Sequence, residues 1–441
     1  MGTLSVDKLV KTSQGASEFT LPAADGTSGQ VMQTDGSGQL SFATVSSDPT
    51  MGGDLSGTAS NAQIVADAVT ATEIAATTIT PAQMAGSAFQ ANRNMIINGA
   101  MQIAQRGGTV AGGASNVYSP IDRWGLGSGS SFNFDVTASI NTTTVNTEDG
   151  FASALKITPD STQTPTGSHN ASIYYLMEGY DAQRLMQGGA NAKTFTLSFY
   201  AKAVGKTGVY SVQCIKKDAA GAGRYQVKEF TVTTAWVRQE ITFEADTTAL
   251  IRNSNAQDFS FYFSMACGPD DIVAPTTAWA ANGGIKAGTN QVNFMDSTSN
   301  EFHITGVQLE VGSNATPYEF KDYGQELEAC QRYYLKLGDT GGSGYATMGF
   351  GTAAQSARMT TQFHFPTRMR AKPSTTYSGT LSVLYGTFRS NITSSPDSQL
   401  ANYGGYINYD VSGTPFTAYT YSGLIGGNAD VNTYVAFDAE L

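Results

Sequence analysis

Between Ile64 and Met84 the sequence places one large apolar residue at every fifth position: Ile64, Val69, Ile74, Ile79 and Met84. No element of a single chain accommodates that spacing. On an α-helix five residues advance about 500°, so each member lies about 140° from the last and the set leaves any one face. On a strand an odd spacing alternates sides. The intervening Ala, Thr, Asp and Gln supply nothing for a private core. A thin rod of several copies fits better, each short repeat pointing one residue at a shared axis, as solenoid repeats bury a face only against neighbours. The alternative is a flexible Ala/Thr linker. Residues 46–92 are therefore expected to form a multi-chain shaft with these five residues on its axis.

The remaining composition agrees with an extended, β-rich molecule. Charged residues are 14% of the 441, against roughly 25% in an average soluble domain. Forty-eight glycines and many Ser, Thr and Asn take their place, which suits short strands and tight turns. The net charge of -11 argues against a nucleic-acid partner and against attraction to an anionic bilayer. Cys214, Cys267 and Cys330 are odd in number and have no metal-ligand spacing, so reduced thiols in a cytosolically made protein are expected. Met1 to Val10 shows no apolar signal region, and no apolar run reaches the length of a membrane span. If the protein acts outside the cell that makes it, release by lysis is expected rather than secretion.

Four regions follow. In residues 1–45, Asp25-Gly26 and Asp35-Gly36 mark turns between very short strands, too poor in apolar residues to be stable without partners. Residues 93–321 carry repeated alternation, as in Phe195, Leu197, Phe199 and in Phe259, Phe261, Phe263, expected for a sandwich or jelly roll. Residues 322–337 read as a helix, with Asp322 and Gln325 as a capping box and Leu327, Cys330, Tyr334 and Leu337 on one face. Residues 338–441 return to short strands dense in aromatics.

Several segments resemble bacteriophage tail-fibre proteins. Gly26 to Phe42 looks like the N-terminal region of many such fibres, and Val69 to Thr80 is similar to their shaft repeats. Asn94 to Gly107, followed by Asp122-Arg123-Trp124, resembles the opening of a carbohydrate-binding-like jelly roll found in fibres. Gly306 to Phe320 and Gln325 to Tyr334 resemble its close, and Asp438 to Leu441 is similar to fibre C-termini. The resemblance implies a homotrimer, N-terminal attachment to a phage tail or baseplate protein, and a distal end that binds the host. The expected architecture is then mainly β and elongated. It has an attachment region (1–45), a thin shaft (46–92), a jelly-roll body (93–321), and a junction helix with a small β tip (322–441).

The chemistry-bearing residues favour adhesion over catalysis. His169, His303 and His364 lie in no metal spacing, and no nucleophile elbow occurs. Asp270-Asp271 reads as a turn, with an ion site as the alternative; Glu326 and Glu328 would not face each other on a helix. Neither pair suits the two-carboxylate geometry of a polysaccharide-cleaving tailspike, which stays as the enzymatic alternative beside a head fibre or connector without a receptor role. No catalytic residue, cofactor or metal is expected. Trp124 and Trp236 read as core; Trp279, in an Ala/Gly/Thr-rich stretch, reads as exposed. With Tyr403, Tyr406, Tyr409, Tyr419 and Tyr421 it completes the candidate ligand contacts. The expected function is adsorption to a host surface polysaccharide or outer-membrane protein, within a virion.

Overall fold

The computed structural model describes residues 6–10, 18–45, 48–65, 92–113, 116–218, 220–281, 283–338, 345–385, 387–417, 422–430 and 432–441. The chain divides into two compact units, 1–85 and 86–441.

Among the described residues, the first unit contains three antiparallel ribbons. Lys8–Val10 (β1) pairs with Glu18–Thr20 (β2), Gln30–Thr34 (β3) with Leu40–Thr44 (β4), and Leu55–Ser56 (β5) with Gln63–Ile64 (β6). Asp35-Gly36 does make the expected turn. The Asp35 carboxylate accepts hydrogen bonds from the amides of Ser37 and Gln39, and Gly36 sits at φ 81°, a region glycine enters without steric cost. Val31 and Met32 remain about half exposed. Ile64 is exposed and pairs with Leu55. The other four residues of the five-residue spacing, Val69, Ile74, Ile79 and Met84, lie outside the described residues.

The second unit is built first on a two-sheet sandwich. Its strands in chain order are Thr109–Ala111 (β7), Val117–Tyr118 (β8), Trp124–Gly129 (β9), Val136–Asn141 (β10), Ala154–Pro159 (β11), Asn170–Glu178 (β12), Phe195–Val204 (β13), Gly208–Lys217 (β14), Gly223–Val232 (β15), Val237–Phe243 (β16), Gln257–Cys267 (β17), Ile272–Val273 (β18), Ala280–Ala281 (β19), Ala287–Gly288 (β20) and Glu301–Val311 (β21). One sheet has the order β16-β13-β21-β11-β10-β7, the other β19-β15-β14-β17-β12-β9-β8. The alternation read from the sequence points inward as expected. Phe195, Leu197 and Phe199 of β13 and Phe259, Phe261 and Phe263 of β17 are fully buried between the sheets. Phe199 meets Phe230 and Phe263 edge-to-face at 5.0 and 5.1 Å, the geometry ring quadrupoles favour. Trp124 is wholly buried against Tyr175 and Phe263. Trp236 is not in the core: it sits half-buried in the turn between β15 and β16, beneath the Lys202 ammonium.

The expected helix over 322–337 is shorter. It spans Tyr323–Gln331 (α1), and Tyr334–Gly338 is a strand (β22). Asp322 stands at the N-cap without a side-chain capping bond. The buried positions are Glu326 and Cys330 rather than an apolar stripe. The Glu326 carboxylate accepts the backbone amide of Asn98, so its burial is compensated. The strand forms because a partner is available: β22 pairs with the last strand of the chain.

The remaining strands are Thr347–Gln355 (β23), Arg358–His364 (β24), Ser374–Ser378 (β25), Leu381–Tyr385 (β26), Phe388–Ala401 (β27), Gly404–Val411 (β28), Ser422–Gly427 (β29) and Tyr434–Asp438 (β30). Strands β23-β24-β28-β27-β26-β29 close into a barrel, and β22-β30-β25 form a three-stranded sheet beside it. Closure removes free edges around a core that includes Met359, Phe363, Val383, Ile407, Tyr409 and Ile425.

The sandwich meets the residues after α1 and the C-terminal residues at a buried ionic junction. The Arg123 guanidinium has no exposed surface; it pairs with the Glu440 carboxylate, donates to the Leu176 carbonyl, and lies 3.4 Å from the centre of the Tyr333 ring. Arg106 reaches Asp122, Asp438 and Glu440. Arg332 grips both oxygens of buried Glu178 at 2.9 and 2.7 Å, a bidentate arrangement specific to arginine. Arg370 donates to the carbonyls of Ala439 and Glu440 on one side and Asn255 on the other. Truncating one partner of a buried pair strands the other charge, a loss of about 3–5 kcal/mol. Glu440→Gln is therefore expected to lower unfolding stability by about that amount in denaturant titration. A change under about 1 kcal/mol would show that the pair is dispensable.

Candidate functional site

Strand β9 carries glycine at alternate positions, Gly125, Gly127 and Gly129, so all three face outward from the sandwich. Their partners on β12 are Tyr174, Ser172 and Asn170 respectively. A Cβ on Gly125 would lie 2.1 Å from the Tyr174 ring, and one on Gly129 2.6 Å from the Asn170 amide. The bare backbone thus lets Tyr174 and Asn170 lie flat across the neighbouring strand. Further across the same face, the segment around β18 to β20 folds back over a small apolar cluster of Ile215, Tyr225 and Val227. Between that segment and β9 an open cleft of about 450 Å³ remains.

Hydroxyls and amides line the cleft. Asn116, Ser128, Ser130, Ser168, Asn170 and Ser172 contribute to it, with Tyr262 as its aromatic wall. The side chains of Asn116, Ser168 and Ser172 have no hydrogen-bond partner among the described residues. Asp271 is the carboxylate in the lining, and the Lys286 ammonium neutralises it. Such a surface offers paired donors and acceptors with little net charge. It suits a neutral, hydroxyl-rich ligand.

The cleft was not among the sites expected from the sequence. Its one legible signal is the Gly-x-Gly-x-Gly run from Gly125 to Gly129, since glycine inside a strand marks close approach of another group. Of the expected ligand contacts, Tyr403 and Tyr406 are exposed, at 64% and 37%, and share one small pocket on the barrel with Gln362 and His364. Tyr409 is fully buried: it lies in the inward row of β28 with Ile407 and Val411. Trp279 is buried as well. It packs on Phe195 and Phe259, and its indole N–H donates to the Glu244 carbonyl at 2.6 Å. Tyr419 and Tyr421 lie outside the described residues. Asp270-Asp271 forms the expected turn, a single 3-10 turn at Pro269–Asp271. Among the described residues no group of three or more His, Cys, Asp or Glu could hold a metal.

His303 is buried on β21 with one ring nitrogen at Asn141 and the other at Glu301. Burial, opposed by Glu301, holds its pKa down to about 4.

No family model matches this sequence, and no curated protein matches it. Solved structures do. The family 11 carbohydrate-binding module of the cellulosomal cellulase Lic26A-Cel5E of Clostridium thermocellum is 14% identical, covering 47% of this chain and 97% of the module, with a TM-score of 0.25. The enzymatically active domain of tailspike protein 4 of bacteriophage CBA120 is 12% identical, covering 50% of this chain and 22% of that one, with a TM-score of 0.28. The CBM22-1 xylan-binding domain of Paenibacillus barcinonensis Xyn10C is 10% identical, covering 47% and 95%, with a TM-score of 0.24. The two-sheet sandwich itself rests on the strand pairing of this chain.

The histidine supplies a pH test. Because the folded pKa lies below the ordinary 6.5, the unfolded chain binds the proton first as pH falls, and the native state loses stability on the way down to about 4. Burial of Asp122 pushes its carboxyl up to about 7, which acts with the opposite sign. The comparison therefore needs a variant. Relative to His303→Gln, the wild type should lose stability between pH 6.5 and 4; parallel curves would show that His303 carries no such linkage.

Proposed function

We propose that this chain is a non-enzymatic carbohydrate-recognition protein of a phage tail fibre, which adsorbs to host surface polysaccharide through the sandwich cleft. The observation that carries the reading is the cleft itself: a neutral trough of serine and asparagine side chains, several without a hydrogen-bond partner among the described residues, beside a tyrosine ring. Sugar hydroxyls are matched donors and acceptors for such groups, and the apolar face of a sugar ring packs on an aromatic wall. An open trough rather than an enclosed cavity admits a chain in its middle as well as at its end. The motifs resembling tail fibres, spread in order along the sequence, support the setting. In that setting the chain is a homotrimer, its shaft segment lies on the three-chain axis, and its N-terminal ribbons attach to a tail or baseplate protein. Three copies make weak single contacts effective through multivalency.

Purified full-length protein titrated with host surface polysaccharide is expected to bind, and Asn170→Ala combined with Ser172→Val to weaken binding about tenfold or more. The polysaccharide should be recovered at its original length, and the protein should have the mass of three chains. Shortened polysaccharide would replace the adhesive reading with an enzymatic one. Unchanged binding by the double variant would remove the cleft from it.

A further inference from the structure

We infer that the barrel carries a second binding site, independent of the sandwich cleft, for a single uncharged sugar ring such as a terminal hexose. The site lies at the end of β24 and the start of β28. Along these two paired strands the outward row is mostly satisfied within the protein. Asp410 pairs with Arg358 at 2.7 Å, and Asn408 accepts from the Thr360 hydroxyl at 2.6 Å. One register step further, Tyr406 stands opposite Gln362, and next to them come His364 and Tyr403. The side chains of these four residues make no hydrogen bond to another described residue. Polar groups that stop pairing at one end of an otherwise paired row are free for a ligand.

Between the two tyrosines the backbone is bare by necessity. Gly404 and Gly405 have φ of 135° and 147°, which L side chains rarely adopt. A Cβ on Gly404 would meet the Phe363 carbonyl at 2.4 Å, and one on Gly405 the Gln399 carbonyl at 2.1 Å. No side chain can fill that position, so a flat floor separates two exposed rings. Large aromatics are normally buried; here Tyr403 keeps 64% of its surface exposed.

The chemistry selects the occupant. None of the six lining residues carries a carboxylate, ammonium or guanidinium group, which disfavours acidic or phosphorylated sugars. The volume is about 200 Å³, against about 450 Å³ for the sandwich cleft. It fits one ring rather than a run of chain. The apolar face of a pyranose would stack on a phenol ring, with the Gln362 amide and His364 imidazole reaching its hydroxyls. The site also lies beside the ionic junction rather than remote from it. The Asn402 carbonyl accepts from the Met369 amide, Arg368 donates to the Asn402 side chain, and Arg332 donates to the Arg368 carbonyl.

Saturation-transfer NMR on the full-length protein with methyl α- and β-hexosides (glucose, galactose and mannose forms) tests this. At least one methyl hexoside is expected to bind the wild type, to lose about tenfold or more in affinity with Tyr403→Ala, and to be retained by Asn170→Ala. Gln362→Ala, an exposed change, gives the same readout if Tyr403→Ala misfolds. Absence of binding by all methyl hexosides would overturn the inference, as would equal binding by the wild type and both barrel variants. Loss with Asn170→Ala alone would place the sugar in the sandwich cleft, overturning the barrel site while leaving the polysaccharide reading intact.

Discussion

The pairing of Arg123 with Glu440 is the constraint from which the larger unit is organised. A fully buried guanidinium is costly to desolvate and stays only where an anion and further acceptors surround it. Here the anion comes from the second-last residue of the chain, the carbonyl from Leu176, and the π-face from Tyr333. Three distant stretches must therefore be in place before the charge is tolerated. Strand β12, the turn after α1 and the C-terminal residues must assemble around Arg123 or leave a charge stranded. Arg106, Arg332 and Arg370 repeat the arrangement around it, so the junction works as a network rather than as one bond.

The network draws in the segment from Asn94 to Gly107 as well. Asn98, at φ 58°, accepts from the amides of Gln102 and Ile103 and donates to the carbonyls of Ile103 and Asp122. Gly99 lies so close to the Val307 carbonyl that a Cβ would sit 2.0 Å from it. Gln105 binds both Asp122 and the Tyr334 carbonyl. The opening motif, the Asp-Arg-Trp triplet, the helix segment and the C-terminus are thus neighbours in space. Their contacts join the sandwich to the C-terminal residues.

The junction and the cleft share one strand. The Trp124 side of β9 is anchored in the core, while two of its glycines, Gly127 and Gly129, line the cleft. An aromatic succession links the two regions: Tyr118 donates to the Leu441 carbonyl, meets Tyr174 edge-on at 5.9 Å, and Tyr174 meets Tyr262 at 6.1 Å. Tyr262 is the wall of the cleft. The packing that holds Leu441 thus continues to the wall of the cleft.

Much of this was legible in the sequence, and the remainder has a common cause. Alternation in β13 and β17 located the sandwich core because burial of every second residue follows from strand geometry alone. Asp35-Gly36 located a turn because its conformational preference is local. The helix ran too far because Tyr334 and Leu337 have the right spacing, yet β30, nearly a hundred residues later, offers them a ladder of hydrogen bonds. Trp279 and Tyr409 stand among the candidate ligand contacts because polar and small neighbours surround them in sequence. In the fold their rings meet Phe195 and Phe259, and the interior of a closed barrel. The sequence by itself determined periodicity, turns and the classes of chemistry available, since these depend on residues a few positions apart. Only the tertiary structure decided which carboxylate meets Arg123, which serines share a cleft, and which tyrosines remain in solvent. Those outcomes depend on burial and pairing between segments that have no influence on each other until the chain has closed.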